Sequence, residues 1–233
     1  MTCNQALPDW SFIPEDIRWA AETFDLLGWN SDEQIAQQLH TLGTKTTREQ
    51  VRDRAEETLA RFNRIDWEQP DCGEQLAATL AHLGSNARPQ FLCRFGPEIK
   101  SLDALRYVMP QAHSGWNLAM GAWPNIDKSE WLNMWRTVAY CSDGEPAPRG
   151  PLRVYRGGDA RDGMWLDWTT DPATAKRFAE IEPDASYRTI WETYVQPQHV
   201  LGRIKQHDEA EVIVDYEALA ADKVAVRVTP LRP

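Results

Sequence analysis

The segment that most restricts the fold runs Trp165-Leu166-Asp167-Trp168-Thr169-Thr170-Asp171-Pro172-Ala173-Thr174-Ala175-Lys176-Arg177-Phe178-Ala179. It opens with β-prone residues and closes as a helix. Asp171 is a good N-cap, because its side-chain oxygens can accept the orphan backbone N–H groups of a first helical turn. Pro172 suits that turn, where its missing N–H is no loss. Ala175, Phe178 and Ala179 recur at helical spacing and give an apolar face. The segment therefore predicts a strand that turns into a helix, with the hydroxyls of Thr169 and Thr170 at the junction.

Two other segments carry chemistry-bearing residues on predicted strands. Leu152-Arg153-Val154-Tyr155-Arg156-Gly157-Gly158 is a short β-prone run that ends in an arginine and two glycines. Glycine permits close backbone approach to a ligand. An arginine beside such a turn can fork onto phosphate, although an exposed arginine before an ordinary turn fits the same residues. Near the C-terminus the chain reads Glu209-Ala210-Glu211-Val212-Ile213-Val214. Residues i and i+2 of a strand share a face. Glu209 and Glu211 are thus predicted to project together, with Val212 and Val214 opposite. Paired carboxylates are costly away from water unless a site uses them, and a solvated strand edge is the other reading.

Taken in order, these blocks are an arginine strand, a hydroxyl-bearing strand-to-helix junction and a Glu-x-Glu strand. That order resembles the mono-ADP-ribosyltransferases of the arginine–serine–glutamate class, found in bacterial toxins and phage proteins. The residues that carry the likeness are Tyr155-Arg156-Gly157, Trp168-Thr169-Thr170 with Ala175 and Phe178, and Glu209-Ala210-Glu211. Ile190 to Val195 and His199-Val200-Leu201 fit the strands between them. The likeness covers roughly residues 100–233.

The resemblance implies an α+β catalytic domain of two packed small β-sheets with flanking helices over residues 86–233, preceded by an all-α module over residues 1–85. It implies NAD as the substrate, no metal, and a macromolecular acceptor that is protein or nucleic acid. Arg156 would hold an NAD phosphate or ribose, and the Gly157 backbone would meet the nicotinamide carboxamide. Thr169 and Thr170 would brace the site and position the glutamate. Glu211 would be the catalytic glutamate, and Glu209 would orient or deprotonate the acceptor. Tyr187 stands where the family often places an aromatic over nicotinamide, and His207 lies in the acceptor-facing loop. Trp168 departs from the pattern, occupying the first serine position of Ser-Thr-Ser. Indole offers only a donor. Either Trp168 packs against the nicotinamide side, or Asp167 or Thr170 supplies the polar contact. The family habit implies a toxin, an effector or a phage-conflict protein, with a neutralising partner protein where it is a toxin. NAD hydrolysis alone, or a non-catalytic binding module, are the alternatives.

The formal charge of −10 argues against broad, non-specific nucleic-acid binding. Four cysteines with no Cys-x-x-Cys pair make a zinc site unexpected, and their wide spacing without a secretion signal predicts reduced thiols in a cytoplasm. No apolar run of about 18 residues predicts a membrane span. Most of the eleven tryptophans are expected in the core.

The N-terminal third reads as helical, over residues 14–27, 31–39 and 47–62. These segments resemble Myb/SANT and helix-turn-helix modules, which would place Arg48, Arg52 and Arg54 on a nucleic acid. With 12 acidic and 7 basic groups over residues 1–66, a bundle for protein contacts or for supporting the enzyme is the alternative. Further on, residues 72–83, 101–107 and 129–139 are predicted helices, residues 85–97 a linker and residues 142–151 a loop into the arginine strand. Arg136 could reach a phosphate, and His113 and Trp116 could form part of a substrate rim.

Overall fold

The computed structural model describes residues 48–83, 87–114, 128–160, 165–181, 187–205 and 209–231. The helices expected over residues 14–27 and 31–39 lie outside the described residues, as do Trp116 and His207. The chain divides into two compact units, Met1–Trp131 and Leu132–Pro233. Among the described residues it combines seven helices with one seven-stranded mixed sheet.

The first unit is helical. It holds α1 (Arg48–Phe62), α2 (Cys72–Leu80), α3 (Ala87–Phe95), a 3-10 turn at Gly96–Glu98 and α4 (Leu102–Ser114), and α5 (Lys128–Val138) begins in it. α2 packs against α4. The linker expected at residues 85–97 is replaced by α3. Phe91 and Leu92 are fully buried there, and the Phe91 ring lies 5.3 Å from that of Phe62 and 4.8 Å from that of Phe95. Pro89 falls in the first turn, where it removes no helical hydrogen bond. α4 runs past the expected end at residue 107 and through Pro110. A proline inside a helix costs about 3 kcal/mol. Complete burial of Val108 and Met109, at roughly 1.5–3 kcal/mol each, is enough to offset that.

The second unit contains β1 (Cys141–Ser142), β2 (Leu152–Asp159), β3 (Asp167–Thr169), α6 (Pro172–Ile181), β4 (Arg188–Val195), β5 (Val200–Ile204), β6 (Glu211–Val214), α7 (Tyr216–Ala221) and β7 (Arg227–Pro230). The strand order is β1-β5-β6-β3-β2-β4-β7. β1 and β5 run parallel, and every other pairing is antiparallel. Two packed small sheets are expected from the resemblance, whereas hydrogen bonding joins all seven strands into one. The reason is β3, which pairs with β6 on one side and β2 on the other. Its junction with β2 is a single residue pair, Tyr155 with Thr169, while β2 and β4 pair along eight positions. The sheet thus has a narrow seam between β3 and β2.

Alternation along the strands builds the core of this unit. Val154, Trp168, Trp191, Val212 and Val214 form one buried cluster with Leu219 of α7. Of the six tryptophans among the described residues, Trp131 of the first unit and Trp135, Trp165, Trp168 and Trp191 of the second are buried, and Trp67 is half-buried; the other five lie outside the described residues. Among the described residues no helix is long and apolar enough to cross a membrane.

Candidate functional site

Three segments that are distant in sequence become neighbours at the seam. Arg156 lies on β2, Asp167 to Thr169 form β3, and Glu211 opens β6. Register places Thr169 directly opposite Glu211, and Tyr155, the residue before Arg156, opposite Thr169 from the other side.

The threonine junction is pinned by three hydrogen bonds. The Thr169 hydroxyl donates to the Glu209 carbonyl oxygen at 2.6 Å and accepts the Asp171 backbone N–H at 3.0 Å. The Thr170 backbone N–H donates to the Ala210 carbonyl at 3.1 Å. Asp171 then caps α6 as expected. It accepts the N–H groups of Ala173 and Thr174 at 3.0 and 2.9 Å and the Thr174 hydroxyl at 2.7 Å. The Thr174 hydroxyl, followed by those backbone donors, holds the Asp171 carboxyl below its ordinary range. One local sequence therefore starts the helix and anchors the turn before β6.

Asp167 links the two residues assigned the main roles. Arg156 Nη1 donates to the Asp167 backbone carbonyl at 2.9 Å and lies 3.7 Å from its carboxylate. Both side chains are largely buried, at 14% and 13% exposure. The carboxylates of Asp167 and Glu211 approach within 4.8 Å of each other. Asp167 and Thr169 share one face of β3, as positions two apart must. Asp167, one of the residues weighed as the polar contact in place of Trp168, therefore stands beside both Arg156 and Glu211.

Strand alternation does not hold at the Glu-x-Glu turn. β6 begins at Glu211, and Ala210 has φ +46°, a left-handed conformation that costs a non-glycine residue about 1–2 kcal/mol. Glu209 therefore precedes the strand rather than sharing a strand face with Glu211. It meets α6 instead, with Arg177 Nη2 3.7 Å from its Oε1. Such a conformation persists only where its surroundings hold it, here with the Ala210 carbonyl accepting the Thr170 N–H.

Several expected residues have other surroundings. Trp168 is only 2% exposed, packs in the core cluster and donates from Nε1 to the Trp165 carbonyl at 2.8 Å. It belongs to the core and not to a ligand-binding surface, because it alternates with Asp167 and Thr169. Gly157 faces the backbone of α6. A Cβ there would stand 1.7 Å from the Ala175 carbonyl oxygen and 2.7 Å from the Ala179 nitrogen, so helix packing alone demands glycine. Tyr187 precedes β4 at the end where Asp159 pairs with Arg188. Trp191, the partner of Arg156, lies four residues further along the chain, and the Tyr187 carbonyl accepts the Ala160 N–H at 2.8 Å. Arg136 forks onto Asp215 at 2.8 and 2.7 Å and reaches Glu217 at 3.0 Å, an arrangement that organises α7. In the first unit, His113 is buried and accepts the Trp131 Nε1–H at 3.2 Å.

Reading the sequence missed Arg177 as a partner of Glu209, and no local signal marks it. No protein-family model matches the chain, and no curated protein or solved structure matches it.

Proposed function

We propose that the chain is an NAD-dependent mono-ADP-ribosyltransferase, which moves ADP-ribose from NAD onto a macromolecular acceptor and releases nicotinamide. The observation that carries this reading is that Arg156 of β2 meets Asp167 of β3, whose carboxylate lies within 4.8 Å of that of Glu211 on β6, with the Thr169 hydroxyl tied to Glu209. The second unit is read accordingly as a transferase-like catalytic domain.

Each role follows from chemistry. A guanidinium suits an anionic dinucleotide because its fork of N–H donors matches phosphate, and the bond to the Asp167 carbonyl sets the orientation of Arg156. Breaking the nicotinamide–ribose bond develops positive charge on the sugar, as in glycoside hydrolysis. Glu211 stabilises that charge electrostatically from a fixed strand position and bonds a ribose hydroxyl. Glu209 takes the acceptor's proton as it attacks. Thr169 and Thr170 hold the turn that carries both glutamates.

The test uses NAD labelled on its adenine half, incubated with the protein and a cell lysate. Label lost to protease identifies a protein acceptor, and label lost to nuclease a nucleic-acid acceptor. Free ADP-ribose with no macromolecular label would replace the transferase reading with NAD hydrolysis. Absence of any NAD turnover would defeat both.

A further inference from the structure

We infer that Arg177 is itself an acceptor for ADP-ribose, so that the chain modifies its own helix α6; this rests on the transferase reading above. Glu209 is the residue to which that reading gives acceptor activation. The guanidinium that faces it is the chain's own, with Arg177 Nη2 3.7 Å from Glu209 Oε1. Arg177 is 58% exposed and Glu209 31% exposed, so the pair sits on the solvent side, from which an acceptor must arrive. Exposed pairs of this kind are worth at most about 1 kcal/mol, and the guanidinium can leave its partner.

The helix under Arg177 is held in place. Asp171 caps it beside the Thr169 junction, and Ala175 and Ala179 press against the Gly157 backbone. Arg177 lies two residues from each of them and so projects away from β2. Three other cations of this unit are engaged elsewhere. Lys176 pairs with Glu180 at 3.6 Å, Arg153 with Glu192 at 2.5 Å and Arg203 with Glu145 at 2.9 Å.

The step balances with NAD as the only co-reactant. An Arg177 Nη forms a bond to the anomeric carbon of the nicotinamide ribose. The bond from that carbon to the nicotinamide nitrogen breaks, and its electron pair stays with the ring, which leaves as neutral nicotinamide. The proton on the attacking nitrogen passes to Glu209 and then to water.

The experiment incubates the full chain alone with adenine-labelled NAD at several dilutions, measures nicotinamide release, and maps the adduct by peptide mass spectrometry. Wild-type protein, Arg177→Lys and Glu209→Gln are compared. The expected result is label on Arg177, with a per-chain rate independent of dilution, and loss of that label in both variants. Nicotinamide release with the label on another residue, or with no label on the chain, overturns the inference and leaves the transferase reading standing. Absence of nicotinamide release from the wild-type protein overturns the transferase reading, and this inference with it.

Discussion

Thr169 and Glu211 face each other across β3 and β6, and the Thr169 hydroxyl is bonded at 2.6 Å to the carbonyl of Glu209, two residues before Glu211. One threonine therefore registers the strand that carries the candidate catalytic glutamate and fixes the turn that leads into it.

Removing that hydroxyl should cost function more than fold. Thr169→Val preserves volume but strips the bond to Glu209 and leaves the Asp171 N–H without its acceptor. We expect a stability loss of about 1–3 kcal/mol in urea titration, with a fall in kcat for nicotinamide release of about tenfold or more and a smaller change in KM for NAD. Thr169→Ser should recover most of both. Full activity in the valine variant would remove Thr169 from the site.

The turn itself is open to a backbone test. Ala210 sits at φ +46°, so Ala210→Gly should relieve strain and raise stability by up to about 1 kcal/mol. Ala210→Val, branched at Cβ, should lower it. Thermal unfolding of the two variants against wild type reads the sign directly.

Adjacent glycines on β2 should behave oppositely. A Cβ on Gly157 meets the Ala175 carbonyl oxygen at 1.7 Å, whereas one on Gly158 finds only the Trp191 ring at 3.8 Å. Gly157→Ala should therefore displace α6 and cost about 3 kcal/mol or more, while Gly158→Ala should stay within about 1 kcal/mol of wild type. Equal effects in urea titration would contradict the packing of α6 on β2.

Asp215 supplies a pH-dependent contribution to stability. Burial pushes its carboxyl up, but the Arg136 fork and the Ala218 backbone N–H outweigh that and hold it below the usual range. The folded state therefore binds its proton less readily than the unfolded chain. The stabilisation is present above the unfolded value of about 3.9 and is lost as pH falls through the lower folded value. Asp215→Asn keeps a capping side chain but loses the charge. It should cost about 1–2 kcal/mol near neutral pH, and its unfolding curve should converge on that of wild type under acid conditions.

How much of this was readable in the sequence depended on range. The junction from Trp165 to Ala179 was legible because its signals are local, an N-cap, a proline in the first turn and an apolar stripe. The arginine strand and the ends of α1 and α5 were legible for similar reasons. α3 and the continuation of α4 through Pro110 were not, because burial of Phe91, Leu92, Val108 and Met109 outweighs the local breakers. The place of Trp168 stayed open because no residue near it in sequence says which strand face the core will take. Glu209 and Glu211 were placed on one strand face because nothing in Glu-Ala-Glu announces a left-handed alanine. The partnership of Arg177 with Glu209 exists only once α6 is seated on β2.

Nicotinamide release by purified Glu211→Gln is the first measurement to make, because Glu211 is the residue proposed to drive cleavage of NAD. The variant should fold and its kcat should fall by about two orders of magnitude or more, while binding of NAD is largely kept through Arg156. Nicotinamide release by Glu211→Gln at close to the wild-type rate would remove Glu211 from the chemistry.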